Sequence, residues 1–267
     1  MKYFNLLLIL LPFHLFSQPN CNAFLYNADS LQYKACKLAE NVDDRYYQFS
    51  REFQETYDKA LIICPYFAYG YKEKSVAYLK SGDFITWKKL MDKAVEYAPK
   101  DNLGYRAWCR YQFFRDYQGA INDIEKLDSL IDYDPGYYAN GDYHLNITKA
   151  ICYSALNQKT KAIDIIETQL KQKDYQVGLF DYYQLGVNYF EVKNYQLAFE
   201  CFEKQAGINE LSENEYYKCR IYKLQNKQGE YLKCKQLALK LYKENKKLFD
   251  PYTHHFNNVY YEMMLKE

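Results

Sequence analysis

Residues 179–212 read LFDYYQLGVNYFEVKNYQLAFECFEKQAGINELS. Within them Tyr182-x2-Leu185-Gly186-x2-Tyr189 is followed by Ala198-x3-Phe202. Large apolar side chains recur at the three-to-four-residue spacing of a helix face, so two amphipathic helices are expected in succession. The small residues Gly186 and Ala198 let those helices approach, while Leu185, Tyr189 and Phe202 fill the seam.

This pattern resembles one tetratricopeptide repeat (TPR), with Tyr182 in place of the usual Trp and Glu210 where a Pro would close the unit. Outward from it the template repeats. Ala60 and Ala94, Pro65 and Pro99, and Tyr71 and Tyr105 each lie 34 residues apart, with Ser81-Gly82-Asp83-Phe84 as a turn. Trp108, Tyr111, Tyr117, Ala120 and Ile124 form the next unit, with Asp116 placed to cap its second helix. Ala150, Tyr153, Ala162 and Ile166 follow, 42 residues from Ala120 to Ala162, and the excess falls on a Pro-, Gly- and Asn-bearing loop at 132–142. After the best unit, Ala198 to Cys234 spans 36 residues. The N-terminal pair, about 27–41 and 44–64, fits least well. Beyond Asp250-Pro251 a final capping helix is expected over about 252–265, because the last repeat would otherwise expose its apolar face. The fold class that follows is all-α, a right-handed α-solenoid of about five to six TPR-like repeats over residues 18–267.

Met1 to Ser17 reads as a secretory leader, with Lys2, an apolar run to Phe16 and a small Ser17. That run is shorter than the roughly 20 residues a spanning helix needs, so no transmembrane segment is expected after cleavage. A periplasmic or secreted protein of the bacterial envelope is expected. Gln18-Pro19-Asn20 is not the small apolar triplet that precedes lipidated cysteines, so lipid anchoring on Cys21 is not expected. Removing Lys2 takes the net charge from +1 to 0, which leaves no general affinity for nucleic acid. The eight Cys are scattered, most on apolar helix stripes, and read as small buried hydrophobes. A bridge between Cys21 and Cys36, or between Cys201 and Cys219, is the alternative.

Catalytic chemistry finds little foothold. His144 begins a helix after the 132–142 loop with no nucleophile motif beside it, and reads as a surface or capping residue. The adjacent His254 and His255 lack the i, i+4 spacing of a metal pair, so no metal or other cofactor is expected. Asp123, Glu125, Asp128, Asp132, Asp134 and Asp142 read as a solvated face without calcium-loop spacing. Residues 218–247 hold ten Lys or Arg against Glu230 and Glu244, again read as a solvated face.

The resemblance implies a non-catalytic scaffold that holds a protein or peptide on its concave face. The places that line that face in TPR proteins carry over to Tyr69, Lys72, Asn102, Tyr105, His144, Phe180, Tyr183, Phe190, Tyr216 and Lys223. Tyr in such a groove supplies large contact area and a hydrogen-bonding tip. The carboxylate clamp of one TPR subclass is not implied: Lys72 matches, but Val76 stands in the Asn place, and His144 and Thr148 replace the basic pair. Tyr137 and Tyr138 on the long loop form a second candidate surface. A glycan is the alternative ligand, since tyrosine faces also stack on sugars.

Overall fold

A computed structural model describes residues 20–137 and 141–267 of the chain. The expected leader, 1–17, and Tyr138 lie outside the described residues. Two compact units divide the chain at Ala98 and Pro99.

The first unit contains α1 (Cys21–Tyr26), α2 (Ser30–Ala39), α3 (Val42–Arg45), α4 (Arg51–Ile63), α5 (Ala68–Ser81) and α6 (Phe84–Tyr97). The irregular N-terminal pair is α2 packed on α4, and α5 with α6 forms the next hairpin. Side-chain oxygens of Asp29, Ser50 and Asp83 accept the free N–H groups at the starts of α2, α4 and α6. Gly82, at φ +84°, supplies the left-handed turn between α5 and α6. The core joins Phe53, Tyr57, Ala60 and Phe67 to a disulfide between Cys21 and Cys36. That bridge replaces the buried-thiol reading for those two cysteines, whereas Cys201 and Cys219 are free and buried.

The second unit contains α7 (Pro99–Cys109), a π-helical turn (Arg110–Phe114), α8 (Tyr117–Asp128), α9 (Leu145–Ala155), α10 (Lys159–Leu170), α11 (Asp181–Glu191), α12 (Tyr195–Ala206), α13 (Ser212–Leu224), α14 (Gln228–Lys243) and α15 (Tyr261–Lys266). Four hairpins follow in chain order, α7/α8, α9/α10, α11/α12 and α13/α14, and each packs on the next. The first helices of successive hairpins touch one another and form one row. Between α8 and α9 the described residues, 129–137 and 141–144, form no helix.

The small residues of the motif do what their size permits. A Cβ on Gly186 would lie 2.5 Å from the Phe202 ring, so only glycine lets α11 and α12 close to this distance. Ala60, Ala94, Ala120, Ala162 and Ala198 are all fully buried. Each hairpin turn of the second unit carries a left-handed residue: Arg115, Asn157, Lys193 and Asn226. At the last three, the following N–H bonds back to the carbonyl five residues earlier, as in Gln158 to Tyr153 (2.9 Å), Asn194 to Tyr189 (2.9 Å) and Lys227 to Tyr222 (3.0 Å).

The expected capping helix at 252–265 is corrected. Helix forms only over Tyr261–Lys266, and 250–260 is irregular. Asp250 accepts the N–H groups of Tyr252 (2.8 Å) and Thr253 (2.9 Å), and Asn257 takes a left-handed φ of +66°. The segment between spends its carbonyls on other parts of the unit rather than on a helix ladder. A second correction concerns Asp123, which is buried rather than solvated. Arg106 donates two hydrogen bonds to it, at 2.9 and 2.6 Å, and Arg110 lies 3.1 Å away. The two arginines stand one turn apart on α7 and its π extension, so the carboxylate faces a double positive charge.

Candidate functional site

The row of first helices in the second unit bears a groove, and the chain's own residues 249–260 lie in it. The segment leaves α14 beside α13, runs out to the end of α7, and returns to α13 and α14 as α15.

Its root is held by the buried Glu213 at the start of α13, whose carboxylate accepts the N–H of Leu248 at 3.1 Å and the hydroxyl of Ser212 at 2.9 Å. Burial pushes that carboxyl up to about 7. At the far end the π turn matters. A helix end leaves its last carbonyls unpaired, and that of Gln112 accepts the Thr253 hydroxyl at 3.2 Å. Arg115, turned out of the helix at φ +54°, donates to the Thr253 hydroxyl (3.2 Å) and to the His254 carbonyl.

The return path crosses α11. Tyr183 donates its hydroxyl to the Asn257 carbonyl at 2.6 Å, and Gln184 reaches the Phe256 carbonyl at 3.5 Å while accepting from the Asn257 amide at 2.8 Å. His255 is buried against Tyr143 and Phe180, with ring centroids at 5.9 and 5.5 Å, and its Nδ1 is 3.3 Å from the Tyr143 hydroxyl. Phe256 meets the edge of Tyr117 at 6.0 Å beneath the Lys159 ammonium. Finally Glu267 is gripped by Arg220 (3.1 Å), Lys223 (2.9 Å) and the Tyr231 hydroxyl (2.6 Å). Part of the basic stretch 218–247, expected as a solvated face, therefore holds the tail.

Of the residues assigned to the concave face from the sequence, Phe180 and Tyr183 touch this segment, and Lys223 holds Glu267 beyond it. Phe190 and Tyr216 instead pack around Tyr217 and beneath the Arg220 guanidinium. Asn102 and Tyr105 are buried on α7, Tyr105 stacked on Trp108 at 5.9 Å. Tyr69 and Lys72 belong to the first unit, where Tyr69 packs against Tyr57 and Phe67 and Lys72 lies 3.7 Å from Glu73. The residues that meet the tail and were not anticipated include Gln112, Arg115, Tyr143 and Gln184. Gln184 and Asn188, one turn apart among the apolar residues of the motif, were the visible signal, and both are fully buried.

His144 is a cap, as one of its two readings held, but it is buried rather than on the surface. Its Nδ1 accepts the Asn146 N–H at 3.1 Å, which leaves the proton on Nε2, 2.9 Å from Asp134. Desolvation lowers its pKa, which suits a neutral ring. Tyr137 and Tyr175 stack in parallel at 6.4 Å, each edge-on to His144, and Tyr175 donates to the buried Asp181 at 2.6 Å. Beside them opens a polar cavity of about 630 Å³ lined by Asp134, Tyr137, Asn146, Gln169, Gln172 and Tyr175. Among the described residues no three His, Cys, Asp or Glu cluster as a metal site, and no helix is long and apolar enough to cross a membrane.

The solved structure of PilF from Pseudomonas aeruginosa, a TPR-containing protein, is similar to this chain, with a TM-score of 0.58 over 81% of this chain and 94% of that one at 13% identity. That likeness shows the fold, which is TPR-like. No family model and no curated protein matches the chain.

Proposed function

We propose that the chain is a non-catalytic protein-interaction scaffold of the TPR family whose second unit binds an extended polypeptide. The observation that carries this reading is the groove's handling of residues 253–257. Arg115, Gln184 and Tyr183 direct donors to the carbonyls of His254, Phe256 and Asn257, which any extended chain also offers. The TPR-like fold supports protein partners as a class.

Export to the bacterial envelope, periplasmic or secreted, is part of the proposal. The Cys21–Cys36 bridge supports it, since disulfides persist in oxidising compartments. With its sulfur in that bridge, Cys21 has no thiol for a lipid.

Panning a peptide display library on the whole protein and on a Tyr183→Phe/Gln184→Ala variant tests the reading. Extended peptides should be enriched on the first and lost on the second; enrichment on neither would reject it. The glycan alternative has its foothold in the polar cavity beside Tyr175, because the concave-face tyrosines of the second unit are buried. Oligosaccharide binding abolished by Tyr175→Ala, with no peptide enriched, would move the assignment there.

A further inference from the structure

The segment in the groove has the character of a bound ligand more than of a core element. Of residues 249–259 only His255 and Val259 are buried, while Phe249 and Tyr252 remain 69% and 71% exposed. Four of its side chains make the contacts: Thr253, His255, Phe256 and Asn257 meet Gln112, Tyr143, Tyr117 and Gln184, whereas His254 is exposed. At its root the fit is incomplete, with a cavity of about 210 Å³ beneath residues 248–250 that Glu213, Lys247, His254 and Asn258 help to line.

We infer that the groove is a receptor for a partner protein's segment of Thr-x-His-Phe-Asn chemistry, and that residues 253–257 are a resident copy which such a segment displaces. This rests on the peptide-scaffold reading and specifies its ligand. The groove asks for a hydroxyl against the Gln112 carbonyl, then a ring that pairs with Tyr143, then Phe against Tyr117, then a carboxamide that pairs with Gln184. The carbonyl contacts add affinity without regard to sequence. A separate partner is favoured over a second copy by reach. Residues 244–247, the link from α14 to Leu248, span at most about 14 Å, so the tail can lift from its own groove more readily than it can cross to another.

Displacement has a physical route. Every polar group that residues 253–257 cover can be taken by water once that stretch lifts, while Leu248, Val259 and Met264 stay in the core and hold its two ends. The apparent affinity of an incoming peptide is then reduced by the fraction of time the groove stands open.

The probe is a fluorescent peptide of residues 249–260, titrated by anisotropy against the full chain. Phe256→Ala/Asn257→Ala in the protein weakens the resident copy, and the labelled peptide should then bind at least about tenfold more tightly, a change of about 1.4 kcal/mol. Unlabelled peptide should compete, and a peptide altered at the Thr, His and Asn places should not. Adding Gln184→Ala to the weakened protein should abolish the gain. Equal binding by the original and weakened proteins, with helicity unchanged by circular dichroism, would overturn the inference. If the double variant loses helicity, Thr253→Ala takes its place and the same outcomes apply. A concentration-dependent dimer that the peptide disperses would assign the groove to a second copy and reject the partner. Library peptides of unrelated pattern would leave the scaffold standing and sink this inference, whereas no peptide binding of any kind would sink both.

Discussion

The two units cover an exposed hairpin in opposite ways. In the first, the short α1 is tied to α2 by the Cys21–Cys36 bridge, and Phe24 meets Phe67 edge-on at 6.1 Å. In the second, an irregular tail is laid into the groove by hydrogen bonds and two buried side chains. A covalent cover is permanent while the compartment stays oxidising. A hydrogen-bonded cover exchanges with water and with competitors, because a net intramolecular hydrogen bond is worth only about 1 kcal/mol. The first unit is thereby built to stay closed, and the second to open.

The largest test of this contrast lies at the α11/α12 seam. Phe202 is fully buried against Gly186, and Phe202→Ala should cost about 3–5 kcal/mol in urea denaturation. Amide exchange should rise through α11 and α12 and leave α2 and α4 protected. A uniform rise in both units would show that they unfold as one block and break the comparison.

Next comes the bridge itself. Closing a 15-residue separation is worth about 3 kcal/mol, so Cys21→Ser should lower the stability of α1, α2 and α4 by about that amount. Reductant should bring the original protein to the same level while exchange in the second unit is unmoved. A variant as stable as the original would mean that packing, not the bond, covers the first unit.

The smallest effect is one of pH. Glu213 titrates near 7 in the folded chain against an ordinary 4.5, because burial outweighs the Leu248 N–H, the Ser212 hydroxyl and the Lys247 charge. The folded state then binds more protons than the unfolded between those values. The contribution of Glu213 to stability is therefore full below about 4.5 and is lost as pH rises through about 7. Glu73 in the first unit is also shifted up by burial, so a substitution is needed to separate the two. Glu213→Gln should flatten the slope and raise stability at pH 8 by on the order of 2 kcal/mol. Chemical denaturation at pH 5 and pH 8 measures it. Lower stability of the variant at pH 8 would show that the charged anchor on Leu248 outweighs the cost of burying it.

The hairpins were legible in the sequence because their causes are local. Leu185, Gly186, Ala198 and Phe202 act within one helix pair, and the same alanine phase marks its neighbours. Asp116 was legible as a cap for the same reason: it accepts the Gly119 N–H three residues on, at 2.9 Å. The tail was not, since it is fixed by partners far along the chain. Thr253 meets Gln112, and Asn257 meets Tyr183 and Gln184, which no periodicity records. Those contacts set the path of 252–260, where the need to cover the last repeat had suggested a helix. The concave-face assignment fared between the two. It named Phe180, Tyr183 and Lys223 beside the tail, but placed Phe190 and Tyr216 in a groove when they pack around Arg220.

At Asn157, Lys193 and Asn226 the first helix is finished by bonds made inside its own hairpin, so nothing beyond the hairpin decides where that helix stops. A hairpin closed in this way can be copied, lost or spaced apart by an insertion without disturbing its own turn. The extra length read from the repeat spacing at 132–142 falls between two hairpins and inside neither. In a chain that lengthens by duplication, growth is thus confined to the joints, and new surface arises there while the hairpins stay the same.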